Sequence, residues 1–354
     1  MEEGDLAEVF SAGGEKLGTA TLSRGRSILA SMLSFGEEKV TEAIRRKIQE
    51  AILLRQNWFQ KEKTNAIRLV NAEGDGLPGL IVDAYHDVWV MQVSNGGMEG
   101  LKGTIIETLL EYKPKSLFER SGSFLRRKEG MGEVKGHLYG DPCSEVEILE
   151  NGLMFFVDVL QGQKTGMFLD QREMRSLVQS LAPGKKVLNC FAYTAGFSVA
   201  ALAGGAISAV SVEQSAKCAP WIEKNLSLNS LSNHTLVTGD VFDYLKTCSW
   251  DFDLVILDPP AFVKKRDDIA NAFRAYKELN RAVLEKIKPN SLLLTSSCSY
   301  HVDESLFQNI LFRAALEANR SVRILERHRQ AHDHPISIFH PESSYLKSFL
   351  LSIA

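Results

Sequence analysis

An acid and a thiol follow two strands of the sheet that the sequence predicts. Asp258 opens the run 258–262, Asp-Pro-Pro-Ala-Phe, at the end of one strand, and Cys298 follows another strand directly. Two prolines stiffen a turn, so they hold the carboxylate and the neighbouring carbonyl groups in place. The arrangement suits a site that must hold a flat base, and a free thiol beside it is a potential nucleophile. A buried, inert thiol is the alternative interpretation of Cys298.

A loop of small residues, 191–196, follows the strand predicted at 186–190 and leads into a helix. Such a loop lets a ligand approach the backbone and offers N–H donors, but it lacks the Gly-x-Gly-x-x-Gly pattern of dinucleotide sites. Glu213 ends the next strand and can accept both ribose hydroxyls of a nucleoside-type cofactor. Asp240 follows the third strand and can accept from an adenine amine. A plain strand–helix turn and helix N-caps explain each feature alone, but three consecutive strand ends favour a nucleoside cofactor.

These residues fall at the ends of strands that alternate with helices from about residue 170 onward. The strands are predicted at 186–190, 208–213, 235–238, 253–258, 291–297, 321–326 and 346–353. This alternation predicts a largely parallel sheet with helices on both faces. Ligands of such sheets bind at the carboxyl ends of the strands, so the chemistry is expected just after residues 190, 213, 239, 258 and 297.

The first part of the chain has a different pattern. Residues 5–35 alternate apolar and polar positions with frequent glycines, which predicts a small β unit. Apolar residues recur at helical spacing in 37–56, so this segment is predicted to be an amphipathic connecting helix. Residues 66–160 predict a mixed α+β region, with strands at 66–70, 80–83, 88–93 and 116–120 and a helix at about 98–112. The region ends in a hairpin that turns at Asn151-Gly152, a pair favoured in two-residue turns.

Composition and charge limit the class of protein. The 354 residues are 44% hydrophobic and 24% charged, which is ordinary for a globular protein of two or three domains. The net charge of −3 gives no support to nucleic-acid binding, for which a strongly basic face is typical. The chain has local basic clusters, but an ordinary solvated surface explains them without a nucleic-acid partner. The clusters are Arg24 and Arg26, Arg45 to Lys47, Arg126 to Lys128, and Lys264 to Arg266.

Cysteine usage and hydropathy indicate the expected environment. The five cysteines are scattered and form no Cys-x-x-Cys pair, so they indicate neither a metal site nor a disulfide framework. No apolar run is long enough to span a bilayer, and the acidic N-terminus does not resemble a signal peptide. We therefore expect a cytoplasmic protein without a membrane partner.

Six segments of the chain resemble one family. They are Ala66–Leu80, Gly162–Arg172, Asn189–Phe197, Asp258–Phe262, Ser297–Ser299 and Asp333–Pro335. Together they are similar to the bacterial large-subunit ribosomal RNA methyltransferases that make 5-methylcytosine, and the similarity covers nearly the whole chain. One departure is Ala195, where the family usually has glycine. Its methyl group is expected to narrow the loop slightly, with Gly196 keeping the flexible position.

The resemblance implies an α/β protein of several domains. Residues 1–35 would form a partial PUA-like β domain, similar only to the later part of a PUA domain, which is a small RNA-binding barrel. Residues 36–62 would form a helical connector, and residues 63–160 a mixed α+β domain. Residues 161–354 would form a Rossmann-like, class I S-adenosylmethionine-dependent methyltransferase domain.

The resemblance also implies the reaction. A methyl group would pass from S-adenosylmethionine to carbon 5 of a cytosine, leaving S-adenosylhomocysteine. Cys298 would supply a thiolate that adds to carbon 6, and Asp258 would hydrogen-bond the base. No residue of the sequence identifies the base that removes the carbon-5 proton. The implied substrate contacts are Pro259, Pro260 and Phe262, and the implied cofactor contacts are Asn189, Phe191, Ala192, Tyr193, Thr194, Gly196, Glu213, Asp240, Lys164 and Gln171.

Two alternative functions stay open. The first is methylation of a guanine nitrogen in ribosomal RNA, although enzymes that act on exocyclic amines often place an aromatic residue where this chain has Ala261. The second is a catalytically silent RNA-binding assembly factor, which would not need Glu213, Asp240, Asp258 and Cys298 together. Ribosomal RNA is the implied partner throughout. Family members are often dimeric, which implies a homodimer.

Overall fold

The computed structural model describes residues 4–23, 29–122, 124–262 and 268–354, and it leaves aside the side chains of residues 124 and 125. The basic clusters at residues 24–26 and 264–266 therefore lie outside the described residues. The chain divides into two compact units. The first comprises Met1–Gly152, Phe156–Leu169 and His332–Ser343, and the second comprises Leu153–Phe155, Asp170–Ala331 and Ser344–Ala354.

The described residues of the first unit form sheets of three and five strands, besides most of a two-stranded hairpin. Its strands are β1 (Leu6–Phe10), β2 (Lys16–Leu22), β3 (Ala30–Phe35), β4 (Ala66–Asn71), β5 (Leu80–Tyr85), β6 (Val88–Val93), β7 (Ser116–Ser121) and β8 (Val134–Gly140). Strands β1 to β3 form an antiparallel sheet, and β4 to β8 form a second sheet in chain order with β6 and β7 parallel. The helices are α1 (Val40–Trp58), α2 (Gly96–Gly100), α3 (Lys102–Leu110) and α4 (Phe124–Lys128).

Helix α1 is the amphipathic helix that the sequence predicts. Ile44, Ile48 and Ile52 lie four residues apart and are buried in one cluster with Leu69 and Leu80 of the second sheet, because residues at this spacing share one helix face. The helix predicted at 98–112 divides instead into α2 and α3. The glycines of residues 96–103 explain this division, since glycine is a poor helix former.

A hairpin follows, formed by β9 (Glu145–Glu150) and β10 (Leu153–Asp158). Asn151 and Gly152 connect the two strands with φ of 50° and 82°. Two consecutive left-handed residues make a type I′ turn, whose twist matches that of the strands. The hairpin therefore turns where the Asn-Gly pair predicts.

Hydrogen bonds from residues of two buried ion pairs attach the late segment 332–343 to the rest of the first unit. Arg55 binds Asp75 through both carboxylate oxygens at 2.7 Å, and Arg68 binds Asp83 at 2.7 Å. Arg55 Nη2 also donates to the Asp333 carbonyl at 2.8 Å, and the Arg68 amide donates to Asp333 Oδ2 at 2.8 Å. Because all these groups are buried, each ion needs its partners to remain charged in the interior.

The second unit is built on one sheet of seven strands among the described residues. Its strands are β11 (Lys186–Cys190), β12 (Ser208–Glu213), β13 (His234–Thr238), β14 (Leu254–Leu257), β15 (Leu292–Ser297), β16 (Val322–His328) and β17 (Lys347–Ile353). Its helices are α5 (Arg172–Leu181), α6 (Gly196–Ala203), α7 (Ala219–Leu228), α8 (Val241–Thr247), α9 (Ile269–Leu284) and α10 (Glu304–Glu317). Each predicted strand coincides with an observed one to within two residues.

Apolar side chains of the central strands point alternately to the two faces of this sheet, and both faces are buried. Val187 and Leu294 pack with α5 and α6, whereas Leu188, Val255 and Leu293 pack with α8, α9 and α10. Successive strand residues point to opposite faces, so a fully covered sheet needs continuous apolar runs of this kind. The α/β class is confirmed. Among the helices of the described residues, none combines the length and apolar character that crossing a bilayer requires.

Candidate active site

The strand order of the second unit brings the predicted site residues to one edge. The order is β13-β12-β11-β14-β15-β17-β16, and the five strands from β13 to β15 run parallel to one another. Their carboxyl ends therefore lie at the same edge. The chain order reverses between β11 and β14, which is the switch point where such sheets bind ligands. The residues at this edge include Glu213, Asp240, Asp258, Cys298 and the loop 191–196.

The loop after β11 has a strained backbone. Phe191, Tyr193 and Ala195 have φ of 60°, 50° and 60°. A left-handed conformation costs a residue other than glycine roughly 1–2 kcal/mol, and such strain collects at functional sites. The expectation that Gly196 holds the flexible position was wrong, because Gly196 begins α6 and the left-handed residue is Ala195. A glycine at 195 would take this conformation without the steric cost that Ala195 bears.

Three amides of this loop are used by the protein itself. The Ala192 amide donates to the Val212 carbonyl at 3.1 Å, and the Ala195 amide donates to the Ala192 carbonyl at 2.7 Å. The Tyr193 amide donates to Glu213 Oε2 at 2.8 Å. The first and third of these N–H groups fasten the loop to β12 and the second closes a turn within the loop, so all three shape the edge. The sequence interpretation of the loop as a source of N–H donors was wrong for these three amides.

Glu213 is held with both carboxylate oxygens in use. Oε2 accepts from the Tyr193 amide and Oε1 accepts from the Ser215 amide, each at 2.8 Å. Each carboxylate oxygen has a second acceptor position, so the pair can still accept two hydroxyl groups. The two amides fix the carboxylate before any ligand arrives, which lowers the entropic cost of binding a ribose diol.

Asn189 lies buried near the end of β11. Its Nδ2 donates to Ser198 Oγ at 3.0 Å, and a chain of hydrogen bonds continues through Ser211 Oγ (2.7 Å) to His234 Nε2 (2.8 Å). Asn189 Oδ1 has no hydrogen-bond partner among the described residues. A buried acceptor of this kind is satisfied by a ligand donor or an ordered water. The side chain thus offers one acceptor while its amide fixes β11 to α6 and β12.

Asp240 caps helix α8. Its Oδ1 accepts from the Asp243 amide at 3.1 Å, and the residue is exposed. The N-cap interpretation therefore holds, and a contact with adenine stays a prediction.

The substitutions Asp240→Asn and Asp240→Ala separate these two roles. Asparagine caps as well as aspartate, whereas alanine costs about 1 kcal/mol of unfolding free energy. If Asp240 accepts from adenine, Asp240→Asn should raise the S-adenosylmethionine Kd about tenfold with an unchanged melting temperature, because one hydrogen bond is worth about 1.4 kcal/mol or less. Calorimetric titration and thermal unfolding measure the two effects, and Asp243→Asn is the control. An unchanged Kd in Asp240→Asn would remove Asp240 from the cofactor site.

Gln171 contacts Asp258 directly. Its Nε2 donates to Asp258 Oδ1 at 2.9 Å, and the Gln171 side chain is buried. The sequence predicts Gln171 as a cofactor contact, which stays a prediction, and the structure shows its amide nitrogen on Asp258. Because one carboxylate oxygen is held, the orientation of Asp258 is set by this bond.

Cys298 lies beside the Pro-Pro turn. Its Sγ is 3.8 Å from the Pro259 carbonyl oxygen, and the residue is partly exposed. Below it, the Phe262 and Tyr276 rings pack with centroids 4.7 Å apart, and the Tyr276 hydroxyl and Ser299 Oγ share a hydrogen bond at 2.9 Å. Burial raises the pKa of Tyr276 to about 12, so this hydroxyl stays neutral at ordinary pH. Tyr276 and Phe262 therefore contribute packing and a neutral hydroxyl beside the residue that follows Cys298.

Two residues predicted to contact the cofactor, Lys164 and Thr194, have contacts with other residues of the chain. Lys164 belongs to the first unit, where its ammonium lies 4.5 Å from the Phe168 ring centroid. The Thr194 carbonyl accepts from Asn225 Nδ2 at 2.9 Å. Lys347, which is buried at the start of β17, was not predicted as a site residue. Its signal is a single charge within the otherwise uncharged strand 347–353.

The chemistry of this edge suits a nucleoside-type methyl donor. S-adenosylmethionine carries a ribose diol, an ammonium group and an adenine amine, all of which donate hydrogen bonds. The edge supplies acceptors at Glu213, Asn189 and Asp240. The fold and these residues define an α/β domain that binds a nucleoside cofactor at the switch point of its sheet.

Comparison with known proteins agrees with this class. A family model of S-adenosylmethionine-dependent methyltransferases matches residues 125–349. Proteins named ribosomal RNA large subunit methyltransferase I are 38% identical in Vibrio parahaemolyticus and 37% in Yersinia pseudotuberculosis, each over 99% of this chain and 91% of the relative. A solved S-adenosylmethionine-dependent methyltransferase structure from Streptococcus mutans has a TM-score of 0.86 at 28% identity, over 100% of this chain and 92% of that one. Another methyltransferase structure with the same TM-score, identity and coverage is a complex with SAH.

The chain therefore belongs to the family of S-adenosylmethionine-dependent methyltransferases that includes ribosomal RNA large subunit methyltransferase I. It is an enzyme, and S-adenosylmethionine is its methyl donor. The resemblance stated from the sequence motifs is confirmed.

Proposed function

We propose that this enzyme methylates carbon 5 of a cytosine in large-subunit ribosomal RNA through a covalent adduct with Cys298. The observation that carries the proposal is the position of the thiol 3.8 Å from the Pro259 carbonyl, on the strand next to the one that leads to Asp258. The names of the relatives support ribosomal RNA of the large subunit as the substrate.

Addition of the thiol to the ring can make carbon 5 of cytosine nucleophilic. This carbon is a poor nucleophile until a group adds at carbon 6. The Cys298 sulfur forms a bond to carbon 6, and the ring electrons shift to carbon 5. S-adenosylmethionine supplies an electrophilic methyl group and leaves as the thioether. Removal of the carbon-5 proton restores the double bond and expels the thiolate.

Asp258 positions the base and stabilises the charge that builds on it. With Oδ1 held by Gln171, the other carboxylate oxygen is oriented to accept from the N4 amine of cytosine. Pro259 and Phe262 give this turn its rigidity, since one has a fixed φ and the other packs on Tyr276. A base within an RNA helix must leave the stack to reach this edge.

RNA that contains 5-fluorocytosine at the target tests the proposal. Fluorine cannot leave carbon 5 as a proton does, so the adduct should persist after methyl transfer. We expect an adduct on a tryptic peptide containing Cys298 that requires S-adenosylmethionine, with the same yield in Cys248→Ser, which removes a different partly exposed thiol. Methylated guanine with no adduct would instead support N-methylation.

The proposal extends to organisation and partners. It includes a division of the chain into residues 1–35, 36–62, 63–160 and 161–354. It also includes a cofactor role for Lys164, assembly into a homodimer and a cytoplasmic location. The antiparallel sheet β1 to β3 supports a partial PUA-like unit in the first segment. Mapping methylated positions in ribosomal RNA from cells with and without the protein identifies the nucleotide.

A further inference from the structure

Lys347 is a buried cation next to the catalytic candidate. It begins β17, which pairs antiparallel with β15, and Lys347 lies opposite Ser297 in this pairing. Its Nζ donates to the Ser299 carbonyl and to the Tyr345 carbonyl, each at 2.7 Å. The first acceptor belongs to the residue that follows Cys298, and the second lies two residues before Lys347. A lysine side chain that is 4% exposed is therefore fixed against the turn after β15.

Among the described residues, the groups that accept hydrogen bonds from Lys347 carry no negative charge. Both of its hydrogen-bond acceptors are neutral carbonyls, which satisfy N–H groups without cancelling the positive charge. Burial lowers the pKa of Lys347 to about 8, and the nearby charges of Cys298 and Asp303 act in the opposite direction. The cost of burying this ammonium is thus relieved by a negative charge on Cys298.

We propose that Lys347 is a positioning residue that holds Cys298 as a thiolate, with the buried ammonium as its countercharge. The proposal rests on the proposed nucleophilic role of Cys298. A strand neighbour supplies the ammonium, and its bonds to residues 299 and 345 fix its place when the thiol enters or leaves the adduct. Cationic neighbours lower thiol pKa values in other reactive cysteines by the same electrostatic effect.

Other groups near the thiol do not replace this charge. The Tyr276 hydroxyl on α9 is neutral at ordinary pH, because burial raises its pKa to about 12. Asp258 after β14 is a carboxylate, so its negative charge would disfavour a thiolate. Asp303 before α10 is also a carboxylate, and its charge favours the ammonium of Lys347. Among these groups, Lys347 is the one whose charge favours the anionic sulfur.

Alkylation of the full chain by iodoacetamide across pH 5.5–9.5 tests the proposal. The rate is read for each cysteine by mass spectrometry of tryptic peptides, since only the thiolate reacts. In Lys347→Met we expect the midpoint for Cys298 to rise by at least about one pH unit, so that its rate at pH 7 falls roughly tenfold. Lys246→Met, which removes an exposed lysine, should leave the midpoint unchanged.

Lys347→Gln separates the charge from the hydrogen bonds. Glutamine can donate two N–H groups to the same carbonyls but carries no charge, so we expect the same rise in the midpoint with the turn intact. The pH profile of methyl transfer should shift with it, losing rate on its acid side. Lys347→Gln should melt close to the original chain at pH 7, whereas Lys347→Met leaves two buried carbonyls without a donor and should melt lower.

A Cys298 midpoint that stays within about 0.3 pH units of the original chain in both folded variants would overturn this inference. That result is independent of the covalent mechanism, because alkylation needs neither RNA nor S-adenosylmethionine. Conversely, methyl transfer that survives the loss of Cys298 refutes the adduct, while the alkylation midpoints still report whether Lys347 acts on the thiol.

Discussion

Cys298→Ala should lower the rate of methyl transfer on the order of 10⁴- to 10⁶-fold, as loss of the nucleophile does in other covalent enzymes. Alanine keeps the backbone of the turn after β15 and removes only the sulfur that would add to carbon 6. S-adenosylmethionine binding should stay within about threefold, because Glu213 and the loop 191–196 lie on other strands. Transfer of a radiolabelled methyl group to RNA measures the first effect, and calorimetric titration measures the second.

The control for this prediction is Cys248→Ala, since Cys248 is also partly exposed and lies after α8. It should keep full activity. Turnover in Cys298→Ala within about tenfold of the original rate would exclude the covalent route and return the site to direct methylation of a nitrogen.

Glu213→Ala should raise the Kd for S-adenosylmethionine on the order of 100-fold or more. A hydrogen bond to a charged group is worth about 1.5–3 kcal/mol, and two ribose hydroxyls would lose their acceptor. The substitution also removes the acceptor for the amides of Tyr193 and Ser215, so the loop loses the carboxylate that holds it. Calorimetric titration of the purified chain gives the Kd directly.

Glu223→Ala is the matched control, because it removes an exposed glutamate from the neighbouring helix α7. Its Kd should equal that of the original chain. If Glu213→Ala folds and binds the cofactor with unchanged affinity, the ribose is held elsewhere and the assignment of the nucleoside pocket fails.

The sequence predicted the sheet of the second unit because its signals are local. The run Leu254–Leu257 and the residues around Leu293 are continuously apolar, as strands buried on both faces must be. Once these strands are parallel, the positions of Glu213, Asp258 and Cys298 at one edge follow from topology alone. This is why the acid and the thiol could be paired before any coordinates were known.

Long-range and conformational features were not predictable in the same way. The left-handed backbone of Ala195 depends on how the loop is fastened to β12, and alanine gives no sign of it. The proximity of Lys347 and Cys298 depends on the antiparallel return of β17 beside β15. A single lysine in a strand does not reveal which strand lies beside it, so this contact required the three-dimensional structure.

The hydrogen bonds to Asp333 bear on how the chain folds during synthesis. The Arg55 guanidinium and the Arg68 amide are made long before Asp333, so both donors lack this acceptor residue until late in synthesis. The sheet of the second unit is also completed late, because β17 (Lys347–Ile353) pairs between β15 and β16 although it follows both in the chain. Each unit therefore needs a late segment, 332–343 in the first and β17 in the second, to complete its hydrogen bonding, so a chain truncated before residue 332 would lack contacts in both units.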